Sequence, residues 1–143
     1  MRVFKRKIFL AMGLIAIFLF NGCENSNENF EDKDSKELLN KRVFYYVDTI
    51  GEEYKKYSFE DNTLVEYTYD NKVMNNLKSK KQYTLYYDKD DKLTILTGED
   101  TKDCNVMSCN NDEFIAVFCN EIALIKGWDT KSQAIKDDLR ARE

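Results

Sequence analysis

The chain has 143 residues, with 22 basic and 26 acidic side chains, no histidine and no proline. The acidic balance argues against a nucleic-acid partner, because a phosphate backbone is bound by clustered Lys and Arg. The lack of histidine removes the commonest general base and the commonest metal ligand.

The first 22 residues have the pattern of an export signal. Residues 1–7 include four basic side chains and no acidic one, and residues 8–20 form an unbroken apolar run of 13 residues. A helix needs about 20 apolar residues to span a bilayer, so this run is too short for a lasting anchor and fits the core of a signal peptide. Gly22 and Cys23 follow, so a small residue stands directly before a cysteine.

The stretch LFNGC, residues 19–23, resembles the lipobox of bacterial lipoproteins, although Phe20 and Asn21 depart from its usual residues. The resemblance implies a diacylglyceryl thioether on the Cys23 sulfur, cleavage between Gly22 and Cys23, and acylation of the new amino group with a chain such as palmitate. Two or three acyl chains hold a protein stably on a membrane. The alternatives are an ordinary secretory signal with a nearby cysteine and an uncleaved anchor.

The residues after Cys23 predict a spacer and a location. Glu24 stands where Asp would signal inner-membrane retention in enterobacteria, so the lipoprotein resemblance favours the outer membrane of the cell envelope if the host has one. Residues 24–36 carry one aromatic side chain among polar and charged ones. Such a stretch buries too little apolar surface to offset its ordering entropy. Residues 23–36 are therefore predicted to be a lipidated cysteine with a flexible acidic tether.

Residues 37–143 are predicted to form one β-rich domain. From Arg42 onward the apolar residues alternate with a period of two, which indicates strands. Seven strands are predicted, at residues 43–47, 54–59, 64–69, 82–88, 92–97, 113–119 and 122–126. A short C-terminal helix is expected after Trp128, capped by Thr130 or Ser132. We therefore expect an all-β fold, a small antiparallel β-barrel or half-barrel.

The run ELLNKRVFYYVD, residues 37–48, resembles the start of the lipocalin-like domains of many bacterial lipoproteins. In that family a short helix leads into the first strand of an antiparallel barrel, and a C-terminal helix can follow the last strand. Asn40, Lys41 and Arg42 stand near the place of the family's Gly-x-Trp, so no ligand residue can be carried over. The resemblance implies a carrier of a small apolar molecule.

Three cysteines remain if Cys23 carries lipid. Cys104 and Cys109 both lie in the polar segment 98–112, which is predicted to be a long connection, whereas Cys119 lies in an apolar strand. We expect a Cys104–Cys109 disulfide that closes this connection, with a pair that uses Cys119 and reduced thiols as the alternatives. Zinc is disfavoured because three cysteines and no histidine do not supply four preferred ligands.

No residue pattern predicts catalysis, a metal or a cofactor, because the acidic pairs lie in predicted turns or on a helix surface. The aromatic enrichment suggests a ligand or partner surface formed by Tyr45, Tyr57, Tyr67, Tyr83 and Tyr87, although one face of these strands can equally be core. The predicted role is non-catalytic binding, either of a small apolar ligand inside the barrel or, as the alternative, of a protein partner by a filled barrel.

Replacing Cys23 by Ser is expected to abolish acyl labelling and to release the protein from membranes, because the hydroxyl cannot form the thioether. Metabolic labelling with a radioactive fatty acid and membrane fractionation measure both effects. Asn25→Ser, two residues further on, is the matched control and should change neither. Membrane retention of the unlabelled Cys23→Ser variant would contradict the anchor.

Overall fold

The computed structural model describes residues 34–120 and 122–142. The predicted signal peptide, the lipobox and residues 24–33 of the predicted tether lie outside the described residues. None of the helices within the described part is long and apolar enough to cross a bilayer.

Eight antiparallel strands form a closed barrel, which confirms the all-β prediction. Each strand pairs with the next one along the chain, and the last pairs with the first. A short helix, α1, precedes the barrel and a longer one, α2, follows it. The elements are α1 (Ser35–Leu39), β1 (Val43–Asp48), β2 (Glu53–Glu60), β3 (Thr63–Tyr69), β4 (Leu77–Tyr87), β5 (Leu93–Thr97), β6 (Asp100–Cys109), β7 (Phe114–Cys119), β8 (Ile122–Trp128) and α2 (Lys131–Arg140).

The segment 98–112, predicted to be a connection, instead contains β6, which pairs with β5 and β7. The prediction was wrong because this strand is rich in Asp, Asn, Ser and Lys, which are more common in turns than in strands. On the barrel these residues are tolerated because side chains such as Asp103 and Asn105 are exposed. Cys104 and Val106 pack in the interior core from the other face of the strand.

The barrel closes where Tyr45 of β1 lies opposite Trp128 of β8. The two strands approach closely at Gly127, where an added Cβ atom would lie 2.9 Å from the Tyr45 carbonyl oxygen and 3.2 Å from the Phe44 Cβ. A larger residue would push β8 away from β1. The missing side chain of Gly127 therefore permits the closure, which removes both free edges of the sheet.

Large apolar side chains fill most of the barrel interior. They come from alternate positions of the strands, as the period of two predicts. Phe44 and Phe59 meet edge to face with ring centroids 6.0 Å apart. The fully buried members are Phe44, Phe59, Leu64, Leu85, Leu93, Ile95, Ile115, Val117 and Ile125.

Helix α1 closes one end of the barrel, because its Leu38 and Leu39 are buried in the interior core. Its first turn is capped by Asp34 and by Asp91 of the β4–β5 turn, whose carboxylates accept from the Lys36 N–H at 3.0 and 3.4 Å. At its other end Arg42 donates to the Leu38 carbonyl at 2.9 Å and to the Asp112 carbonyl at 2.5 Å. The helix is thereby fixed to two of the turns at this end.

Helix α2 packs on the outside of the barrel over the β1–β8 closure. Its Ala134 joins a second apolar cluster with Val47, Phe114 and Trp128, and the two aromatic rings lie 5.0 Å apart. Thr130 caps the helix by accepting from the Gln133 N–H at 3.2 Å, which confirms one of the two predicted caps.

Asp138 ties α2 to the β1–β2 turn. Its carboxylate accepts from the Thr49 N–H at 3.0 Å, from the Thr49 hydroxyl at 2.7 Å and from Arg142 at 2.9 Å. Burial by itself would raise the pKa of Asp138, but the hydrogen bonds from Thr49 and the charge of Arg142 outweigh it and hold the pKa below its ordinary value of 3.8.

Asp138→Asn is expected to lower the free energy of unfolding at neutral pH by about 1–3 kcal/mol, because hydrogen bonds to a charged group are lost. Since the pKa of Asp138 is lower in the folded state, its contribution is present above pH 3.8 and is lost as the pH falls through the folded pKa. The difference in free energy of unfolding between variant and wild type should therefore shrink below that pH.

Urea unfolding from pH 2 to pH 7 measures this difference, and Asp100→Asn, at an exposed position, is the control. A difference independent of pH would contradict this role.

The interior disulfide joins Cys104 to Cys119, which lie directly opposite each other on β6 and β7. The predicted Cys104–Cys109 pair is wrong, because both cysteines belong to the same extended strand and lie five positions apart, beyond the reach of a disulfide. Cys109 is disulfide-bonded as well, and its partner is not among the described residues.

Replacing Cys104 by Ala and Cys119 by Val together keeps the site apolar and removes the bond. The loop-entropy model predicts a loss of about 3 kcal/mol for the 15-residue separation. Equilibrium denaturation of the oxidised proteins measures it. An unchanged midpoint would show that pairing of β6 with β7 already supplies the constraint.

Candidate functional site

A cavity of about 500 Å³ lies at the end of the barrel opposite α1. The β5–β6 turn lies at this end and contributes Gly98, and five strands contribute the rest of the wall. The lining residues are Leu64, Glu66, Lys81, Gln82, Tyr83, Ile95, Thr97, Gly98, Lys102, Leu124 and Ile125. We call this cavity the mouth.

The inner part of the mouth is apolar. Leu64, Ile95 and Ile125 line it, and each is at most 2% exposed. They are core positions of β3, β5 and β8, so the mouth is continuous with the filled interior. An apolar floor favours ligand groups that leave water readily.

The outer part of the mouth carries a few charged groups. Glu66 is mostly buried and pairs with Lys55 of β2 at 3.6 Å. Lys81 and Lys102 also line the cavity, and among the described residues neither has a carboxylate within 4.0 Å. These groups can orient the polar end of a ligand whose apolar part reaches the floor.

Two tyrosines near Glu66 keep neutral hydroxyl groups. Burial, and then the charge of Glu66, raises the pKa of Tyr83, and the same two causes raise the pKa of Tyr57 further. Both hydroxyls therefore stay protonated at physiological pH and can donate hydrogen bonds. Neither is suited to act as a base.

The five tyrosines proposed from the sequence do not form one surface. Tyr57, Tyr83 and Tyr87 pack with the interior core, and of these Tyr83 alone lines the mouth. Tyr45 packs with the cluster under α2, on the outside of the barrel. Tyr67 lies opposite Lys56 and Lys80, whose ammonium groups lie 5.0 and 5.6 Å from its ring centroid.

Sequence reasoning missed Glu66, Thr97 and Lys102 as mouth residues. Thr97 was placed correctly on a strand, but no local pattern indicates which end of a strand meets a cavity. Lys102 was missed with β6, although the two-residue spacing of Lys102, Cys104 and Val106 is the signal that could have found it.

Within the described ranges, no group of three or more Cys, Asp or Glu side chains is arranged to hold a metal ion. The carboxylates of Asp34 and Asp91 interact closely at the start of α1, where Asp34 is exposed and Asp91 accepts from the Ser35 and Lys36 amides. These contacts cap the helix, and the pair lies outside the mouth.

Comparison of the chain with known protein families, with curated proteins and with solved structures gives no match. The structure of the chain itself defines the class of protein: a closed eight-stranded β-barrel with one end closed by a helix and a cavity at the other end.

Proposed function

We propose that this protein is a lipid-anchored binding protein of the bacterial cell envelope that holds a small, largely apolar ligand at the mouth and does not catalyse a reaction. The observation that carries the proposal is the cavity of about 500 Å³ with an apolar floor at the end opposite α1. Small-molecule sites typically have volumes of roughly 300–1,000 Å³, apolar walls and a few polar groups.

The filled interior limits the size of the ligand. Phe59, Leu85 and Leu93 occupy the space deeper in the barrel, so the ligand does not extend through it. Lipocalin-like barrels of eight strands have room for one small ligand where side chains leave space. A compact ligand held near the rim, with its polar end beside Lys81 and Lys102, fits this geometry.

The described chain begins at the closed end of the barrel, opposite the mouth. The chain enters the barrel through α1, at the closed end, and Cys23 is 11 residues before Asp34. An extended chain of that length spans at most about 40 Å. The tether would thus attach the domain by its closed end, so that the mouth can face away from the lipid surface.

A protein-interaction role is the second candidate, because apolar side chains are exposed around the open end. Ile50 is 79% exposed in the β1–β2 turn, Ile122 is 68% exposed at the start of β8, and Val73 and Leu77 are half exposed. Exposed apolar groups at one end of a barrel are suited to contact a partner. In this role the partner would cover the rim and the mouth would hold no small molecule.

Thr97→Phe is expected to weaken binding of the apolar probe N-phenylnaphthylamine by about tenfold or more, because the ring occupies the mouth and displaces the ligand. Fluorescence titration measures it. Thr84→Phe, at an exposed position of the neighbouring strand, is the matched control and should bind like the wild type. Equal binding by all three proteins would overturn the mouth as the ligand site.

Native mass spectrometry of the protein isolated gently from its host identifies a natural ligand. An adduct that is present in wild type and in Thr84→Phe, but absent from Thr97→Phe, supports the carrier role. A mass without adduct, combined with capture of a partner that Ile50→Asp or Ile122→Asp releases, favours the interaction role.

The anchor has a separate test. A sulfur in a thioether cannot also form a disulfide, so the proposal requires that Cys23 carry lipid and not be joined to another cysteine in the processed protein. Peptide mapping of the membrane-extracted protein without reductant decides this. A disulfide-linked Cys23 peptide would overturn the anchor and leave the mouth proposal unaffected.

A further inference from the structure

A second cavity, of about 230 Å³, lies outside the mouth between α2 and the strands of the barrel closure. It shares no lining residue with the mouth. The polar groups around it come from β1, β8 and α2, and they are Tyr46, Asp48, Lys126, Trp128, Asp137 and Asp138. We call it the helix cavity.

Two buried polar atoms of the helix cavity residues have no hydrogen-bond partner within residues 34–120 and 122–142: Trp128 Nε1, which can only donate, and Asp137 Oδ1, which accepts when ionised. Trp128 is only 5% exposed. A buried donor or acceptor without a partner costs about 1–3 kcal/mol, so native proteins rarely leave one unpaired. The pair together indicates an occupant that accepts from Trp128 and donates to Asp137.

The polar and charged groups around the cavity come from different elements. Lys126 and Trp128 lie two residues apart on β8 and both line the cavity, so this strand brings an ammonium-bearing and an indole-bearing side chain to it. Asp48 ends β1, and Asp137 lies on α2. Strand β8 therefore supplies donors, and β1 and α2 supply carboxylates.

The carboxylates affect the pKa values of two other lining groups, Tyr46 and Lys126. The pKa of Tyr46 is raised to about 12, mainly by burial and to a smaller extent by the negative charges of Asp48 and the neighbouring carboxylates. Burial lowers the pKa of Lys126, and the charges of Asp48, Glu53 and Asp137 oppose that change. The carboxylates thus favour a cationic group beside them.

We propose that the helix cavity binds a small zwitterion of the size of a free amino acid. The ligand carboxylate accepts from Trp128 Nε1 and lies near the Lys126 ammonium, while the ligand ammonium donates to Asp137 Oδ1 and lies near Asp48. Val47, Phe114 and Ala134 supply apolar wall for a short side chain. The volume is several times the roughly 30 Å³ that one water occupies in the liquid.

The zwitterion fits this arrangement better than simpler occupants. A lone anion would meet Asp48 and Asp137, and a lone cation would leave the Trp128 N–H without an acceptor. A neutral hydroxyl can satisfy both orphan atoms, but it does not compensate the charge of Asp137. Charge-assisted hydrogen bonds are roughly twice as strong as neutral ones.

Trp128 is the only tryptophan in the chain, so its indole N–H gives a single, assigned signal in a ¹H–¹⁵N correlation spectrum. Full-length protein in detergent is titrated separately with glycine, L-alanine, L-valine, acetate and methylammonium. At least one of the three amino acids should shift the indole signal in a saturable way, at concentrations at least tenfold below those needed for acetate or methylammonium.

Asp137→Asn keeps the shape of the side chain and should weaken the amino-acid response about tenfold or more, because a charge-assisted hydrogen bond is lost. Asp90→Asn, an exposed carboxylate in the β4–β5 turn, is the matched control and should respond like the wild type. An indole signal unmoved by all three amino acids would overturn the proposal. An equal response to methylammonium, or in Asp137→Asn, would also overturn the proposal. None of these outcomes bears on the mouth, which is tested with different variants and a different probe.

Discussion

The contact between β1 and β8 at Gly127 is the constraint on which the rest of the structure depends. A sheet of eight strands has two edges with unpaired backbone groups unless its ends meet, and here they meet at one residue pair, Tyr45 and Trp128. The close approach requires that Gly127 carry no side chain. Helix α2 covers the same place from outside, with Trp128 in its packing cluster. Closure therefore creates the enclosed interior and also the groove in which the helix cavity lies.

The two ends of the closed barrel differ because α1 fills one of them. Leu38 and Leu39 enter the interior core, and the Asp91 and Arg42 contacts fix the helix over the turns. The opposite end has no such plug among the described residues, and the buried side chains of Leu64, Ile95 and Ile125 form the floor of a cavity there. The mouth is thus the part of the interior that the core does not fill, and its polar groups lie where solvent begins.

Much of the barrel could be predicted because alternation is a local signal. All seven predicted strands are present, and in β4 the alternating residues Tyr83, Leu85 and Tyr87 pack with the interior core. Strand β6 was not predicted, because it has polar residues on its exposed face and few β-branched residues, so that its composition resembles that of a turn. The Cys104–Cys119 pair depends on that strand, since it requires the register of β6 against β7. Missing the strand therefore led to the wrong disulfide.

The sequence by itself determined the all-β class, the alternation of side chains along the strands and the terminal helix, because each depends on side-chain spacing within a few residues. Only the tertiary structure decided that the barrel closes, that Tyr67 and Tyr83 lie on opposite faces, and that Glu66 and Lys102 share a cavity. It also brought the Trp128 indole and the Asp137 carboxylate to one buried groove. The physical reason is that strand register, barrel closure and helix docking bring together residues that are far apart in the chain. The free energy of each arrangement depends on contacts between segments, which no single segment contains.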